Sequence, residues 1–133
     1  MSYFGSCLCG DIKFEVTEKF LSFYLCHCKY CQKDTGSAHA ANLFTKHTAL
    51  KWLSGEESVR KYQVPSSRHA KSFCQNCGSA VATIQEEEQL LVVPAGSLDG
   101  PVEIRPNAHL FISSKANWDD QLHQIESFDK FPE

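Results

Sequence analysis

The 133-residue sequence contains no apolar run approaching the roughly 20 residues that a bilayer-spanning helix needs. Its longest apolar stretches, residues 20–25 and 90–93, have the length of strands. No block of like charge is present either. Lys and Arg number 13 against 16 Asp and Glu, they are scattered along the chain, and the formal charge is −3, which removes the basic footprint that nucleic acid binding requires. Seven Gly and five Pro are too few for a collagen-like or low-complexity chain. A hydrophobic fraction of 42% does not fit a disordered polyelectrolyte. The first six residues show no positively charged segment leading into an apolar one, so no secretory signal is visible. The expectation is a soluble, cytoplasmic protein with no membrane and no nucleic acid among its partners. Motifs of several enzyme classes are missing as well. There is no His-Glu-x-x-His helix and no Gly-rich phosphate loop. The zinc deaminase signature also fails, because Phe73 stands where that class needs Pro before Cys74 and no Glu follows a cysteine at the required offset.

What remains reads as one globular domain over residues 1–133. A chain of this size buries about two thirds of its unfolded surface, which gives a real but modest core that extra cross-links would help. The cysteines offer such links. There are seven, in three tight groups: Cys7-Leu8-Cys9, Cys26-His27-Cys28-Lys29-Tyr30-Cys31, and Cys74-Gln75-Asn76-Cys77. A disulfide scaffold favours an even count and an exported chain, and neither is found. Thiolates this close repel one another unless a soft cation lies between them, and in a reducing compartment zinc fits that role.

Each group has its own geometry. In an extended Cys-x-Cys, residues i and i+2 share a face, so Cys7 and Cys9 can reach one ion. Cys74-x-x-Cys77-Gly78 is a knuckle in which both sulfurs converge and glycine permits the tight exit. Seven thiolates cannot fill two closed tetrahedral sites. The partition that keeps every group intact is a closed structural site from Cys7, Cys9, Cys74 and Cys77, and an open site from Cys26, Cys28 and Cys31 with one position vacant. Two Zn²⁺ ions per chain are therefore expected. Three thiolates leave Zn²⁺ at −1 overall, a weak Lewis acid, but one well suited to taking up a fourth sulfur. A thiol of pKa about 8.5 would be held there as thiolate at neutral pH.

Gly5-Ser6-Cys7-Leu8-Cys9-Gly10, Cys26-His27-Cys28-Lys29-Tyr30-Cys31, Phe73-Cys74-Gln75-Asn76-Cys77-Gly78-Ser79 and Gly96-Ser97-Leu98-Asp99 occur in that order. In this the sequence resembles the glutathione-dependent formaldehyde-activating enzyme family, and also centromere protein V-type domains. His109 to Lys115 with Trp118 is similar to that family's C-terminal pattern. The resemblance implies a mainly β, zinc-binding, tent-like fold of several small antiparallel sheets with few short helices. It implies a structural zinc on Cys7, Cys9, Cys74 and Cys77, and a catalytic zinc on Cys26, Cys28 and Cys31. It further implies a carbon–sulfur lyase that joins a thiol, glutathione, to a small aldehyde, formaldehyde, giving S-hydroxymethylglutathione or the reverse.

The local patterns agree with a β fold. Residues 11–16 alternate polar and apolar, with Ile12, Phe14 and Val16 on one face. Further strands are expected at 20–25, 39–44, 49–53, 59–64, 70–73, 79–84, 89–93 and 108–113. Short helices are expected at 31–36 and 118–124. His27 lies between two ligand positions whose thiolates point one way, so it is read as facing the other. His39, His47, His69, His109 and His123 show no ligand spacing and are read as surface or core histidines. Trp118 is read as core, and Glu86-Glu87-Glu88 as a solvated hairpin tip. Arg60, Arg68, Lys71 and Lys115 are candidate partners for glutathione carboxylates, with nothing in the sequence to choose among them. Three functions stay open: a thiol-activating enzyme, a non-catalytic thiol-adduct carrier or protein-interaction module, and a redox or metal sensor.

Overall fold

The computed structural model describes residues 2–132; Met1 and Glu133, the ends of the domain read from the sequence, lie outside them. Eleven strands and one helix follow in chain order: β1 Tyr3–Ser6, β2 Lys13–Val16, β3 Ser22–Cys26, α1 Lys29–Thr35, β4 Ala40–Lys46, β5 Leu50–Ser54, β6 Val59–Gln63, β7 Ala70–Cys74, β8 Ala80–Val81, β9 Thr83–Gln85, β10 Leu90–Pro94 and β11 Ala108–Leu110. They form three small sheets, with orders β1-β2-β5, β11-β3-β4-β10-β9 and β6-β7-β8. The fold is mainly β, as the sequence patterns require. Every sheet pairing is antiparallel except β11 with β3, which run parallel.

The alternation at residues 11–16 is realised directly. Ile12, Phe14 and Val16 are fully buried, while Lys13 is exposed. Phe14 sits at the centre of the first sheet, opposite Gly5 on one side and Trp52 on the other. Its ring meets Trp52 edge-on at 5.9 Å. A side chain at Gly5 would run into that ring, so the glycine is there to make room for Phe14.

The five-stranded sheet positions the functional residues through its two faces. Phe23, Leu43, Leu91 and Val93 point into the core. The alternate residues Tyr24, Cys26, Asn42, Phe44 and Val92 line a cleft on the other side, as the period of two demands. Both faces of β10 are therefore apolar, which explains why residues 90–93 form an uninterrupted apolar run.

Several elements differ from expectation. The run 79–84 is divided between two sheets: β8 pairs with β7, β9 pairs with β10, and buried Ala82 lies between them. β1, absent from the sequence reading, pairs with β2. The helix begins two residues earlier than expected, because the Cys28 sulfur caps it by accepting from the Cys31 amide. Residues 118–124 hold only a 3₁₀ turn at Leu122–Gln124. The segment expected as a strand at 108–113 stops at Leu110 and turns into a 3₁₀ turn at Ile112–Ser114. Trp118 is 56% exposed rather than core. Residues 86–89 are indeed a hairpin tip between β9 and β10, with Glu86 and Glu87 exposed and Glu88 half-buried.

Candidate metal centre and thiol cleft

The sulfurs of Cys7, Cys9, Cys74 and Cys77 all lie within 4.8 Å of one another. Cys7 follows β1, Cys74 closes β7, and Cys77 sits on the turn beyond it, so strands of two different sheets meet here. The Cys7–Cys9 and Cys9–Cys74 sulfur separations are 3.6 and 3.9 Å. Zn–S bonds of about 2.3 Å in a tetrahedron put sulfurs roughly 3.8 Å apart; a disulfide would need about 2.05 Å. The spacing fits one zinc-sized ion. The knuckle is shaped as its sequence predicts, with the Gly78 amide donating to the Cys74 carbonyl at 2.7 Å and Gly78 at φ +77°. The amides of Ile12 and Asn76 donate to the sulfurs of Cys7 and Cys74 at 3.2 and 3.4 Å, the outer contacts that orient and stabilise thiolate ligands. The Ser79 amide, with help from Cys9, holds the Cys77 thiol well below its ordinary pKa. Cys9 accepts from the Asp11 amide, yet loss of water and the neighbouring thiols push it up.

Cys26, Cys28 and Cys31 form the second cluster, also within 4.8 Å. Cys26 ends β3, Cys28 caps α1 and Cys31 lies in its first turn, so three ligand positions come from six residues. Gln32 braces this loop from behind, its side-chain amide donating to the carbonyls of His27 at 2.7 Å and Ser114 at 2.9 Å. Cys31 is buried, and burial raises its thiol, as do Cys26 and Cys28. All three cysteines line the cleft of about 570 Å³ beneath the five-stranded sheet. None of the other four does. Both clusters could hold a metal, and all-thiolate donor sets suit zinc.

The cleft contains a polar cluster of which sequence reasoning had singled out only Lys71. His69 Nε2 lies 2.7 Å from Asp34 Oδ2, and the Lys71 ammonium lies 2.9 Å from Asp34 Oδ1. Lys71 also donates to the Asp34 carbonyl at 3.0 Å, and the His69 ring packs 5.7 Å from Tyr30. All four residues line the cleft. Of the four candidate cations, Arg68 and Lys71 reach it, while Arg60 and Lys115 do not. Arg68 is 83% exposed and lies only within 3.9 Å of Glu88, so a ligand carboxylate would meet little competition for it.

The glutathione-dependent formaldehyde-activating enzyme family matches this chain over residues 2–114, which include all seven cysteines. The chain belongs to that family. It is also similar to a crystal structure of a Rhodobacter sphaeroides protein, at 20% identity and a TM-score of 0.63, over 80% of this chain and 98% of that one. This likeness speaks for the fold. No curated protein matches the chain. Among the described residues, no helix is long and apolar enough to cross a membrane.

Within the family match lie Asp34, His69 and Lys71 as well as the cysteines; Asp119 lies beyond it. Asp34 and His69 are 35 positions apart, so no local spacing marks them as a pair. His27 does turn away from the cleft, as its place between two cysteines of the cluster predicts. It is 1% exposed, packed against His39 and His109. Burial, then its two histidine neighbours, lowers its pKa.

Proposed function

We propose that the protein is a zinc-dependent carbon–sulfur lyase-type enzyme. It adds a glutathione-like thiol to a small aldehyde such as formaldehyde, giving an S-hydroxymethyl adduct, and runs the reverse. The observation carrying this reading is that Cys26, Cys28 and Cys31 line a cleft of about 570 Å³, within the range of small-molecule sites, whereas the four-cysteine cluster stays outside it. We assign Cys7, Cys9, Cys74 and Cys77 to a structural zinc and Cys26, Cys28 and Cys31 to a catalytic one. When bound at the three-cysteine cluster, zinc would supply thiol activation by favouring the thiolate at neutral pH.

The chain's own residues account for the rest. Arg68 and Lys71 present positive charge to the carboxylates of a glutathione-like ligand. Tyr24, Phe44 and Val92 supply an apolar wall. In the addition, a carbon–sulfur bond forms, the carbonyl π pair moves to oxygen, and that oxygen takes a proton. His69 is the one histidine lining the cleft among the described residues, and its bond to Asp34 fixes the ring. It is assigned the proton donor's role, and the acceptor's role in reverse. The seven free cysteines support a reducing setting such as the cytoplasm, and one family match running over residues 2–114 supports a single domain.

Calorimetric titration of the zinc-replete protein with glutathione tests the reading. Saturable binding near one per chain is expected, with loss in Cys28→Ser. No binding at millimolar glutathione would remove glutathione as the thiol. Binding without acceleration of adduct formation would favour the non-catalytic carrier.

A further inference from the structure

His27 does not line the cleft that its flanking cysteines line, and none of the roles above uses it. One ring nitrogen of His27, one of His39 and a carboxylate oxygen of Asp119 lie within 4.8 Å of one another. The Nδ1 atoms of His27 and His39 are both buried without a hydrogen-bond partner, and a buried polar atom left that way is costly unless something fills the gap. His27 itself is only 1% exposed, so water does not relieve it.

The distances say what could. His27 Nδ1 stands 3.5 Å from Asp119 Oδ2, too long for the bond a His–carboxylate pair makes when it closes, as His69 and Asp34 do at 2.7 Å. Two ligands of one tetrahedral ion, with bonds of about 2.0–2.1 Å, sit roughly 3.4 Å apart. On the other side of the ring, His27 Nε2 lies 2.9 Å from His109 Nδ1. Metal-bound imidazoles commonly have such an outer partner, which fixes the ring and directs the bare nitrogen inward.

We propose that His27, His39 and Asp119 hold a divalent transition-metal ion, zinc being the best match, at a site separate from both cysteine clusters. Two neutral imidazoles and one carboxylate leave a dication at +1, in contrast to the thiolate-rich clusters, and the donor set is nitrogen and oxygen only. The three residues come from the β3–α1 junction, the start of β4 and the C-terminal segment. An ion there ties residues 115–132 to the five-stranded sheet. That segment needs a tie, because Trp118, Ile125 and Phe131 are all exposed and contribute little burial.

The test is equilibrium dialysis of the full chain against Zn²⁺, with metal content per chain compared between wild type and variants. The difference between variants is the readout, so the result does not depend on how many ions the cysteines hold. Asp119→Asn is expected to remove one ion per chain or to weaken its binding at least about 10-fold. His39→Gln should do the same, and Asp120→Asn, next along the chain, should not. In the cobalt-substituted protein, the ion lost should lack the thiolate-to-cobalt charge-transfer band. Either of the first two variants decides the matter if the other fails to fold. Identical zinc content and affinity in wild type, Asp119→Asn and His39→Gln would overturn the proposal and leave His27 and His109 as a hydrogen-bonded pair beside Asp119.

Discussion

The sulfurs of Cys9 and Cys74 stand 3.9 Å apart although 65 positions separate them in sequence. Cys9 hangs from the loop after the edge strand of the first sheet, and Cys74 ends the central strand of the third. An ion between them would close a long loop and join two sheets, which is where a cross-link stabilises most in principle.

Cys74→Ser should therefore cost on the order of 5 kcal/mol or more of folding stability, together with the zinc of that cluster. Cys28→Ser should lose one zinc and leave the fold intact. Thermal unfolding beside zinc analysis measures both. Equal damage from the two substitutions would show that the structural and catalytic assignments are wrong.

Metal uptake should depend steeply on pH. Cys9 and Cys31 have thiols pushed above their ordinary value, the first by loss of water and neighbouring thiols against the pull of the Asp11 amide, the second mainly by burial. In the metal-free chain both are protonated at neutral pH and must release those protons to become ligands. Affinity for zinc therefore rises with pH, about 10-fold per unit for each proton released. Competition against a chelator of known affinity at pH 6, 7 and 8 would reveal the slope; a flat profile would mean the thiols are already ionised.

His69→Asn and Arg68→Ala should separate chemistry from binding. The first removes the imidazole bonded to Asp34 and is expected to lower kcat by about 100-fold with little change in glutathione affinity. The second leaves kcat near wild type and weakens glutathione binding by about 10-fold, the loss of one charge-assisted contact. Steady-state kinetics with formaldehyde and glutathione would tell them apart, and a pure KM effect from His69→Asn would remove it from the proton-transfer role.

Gly5→Ala places a methyl group against the Phe14 ring. Phe14 is fully buried and fixed by Trp52, so the ring has little room to retreat and the substitution should cost about 1–3 kcal/mol. Urea denaturation gives the value directly. A neutral result would mean that the first sheet flexes enough to absorb the methyl.

Local patterns account for most strands, because Phe14 and Val16, or Leu43 and Thr45, bury alternate side chains in a way that period two records in the chain itself. The pattern fails where a run serves two sheets, as at Ala82 between β8 and β9, and where a strand such as β1 carries a glycine to accommodate a partner's ring. It fails again beyond Leu110, where exposed Phe111, Ile112 and Trp118 look like core by composition.

The sequence by itself determined the two cysteine clusters, since Cys-x-Cys and Cys-x-x-Cys are local geometries in which spacing alone makes sulfurs converge, and counting seven thiols divides them. Tertiary structure alone decided what surrounds them. Asp34 with His69, and His27 with His39, His109 and Asp119, come together from positions up to 92 residues apart, and no local period encodes such a meeting. It arises from which strands pair: β3 and β4 antiparallel bring His27 and His39 together, and the parallel return of β11 beside β3 carries His109 to His27. The chemistry of the thiols is written in short-range spacing, whereas the groups that would move protons or hold a further ion depend on how the sheets are ordered.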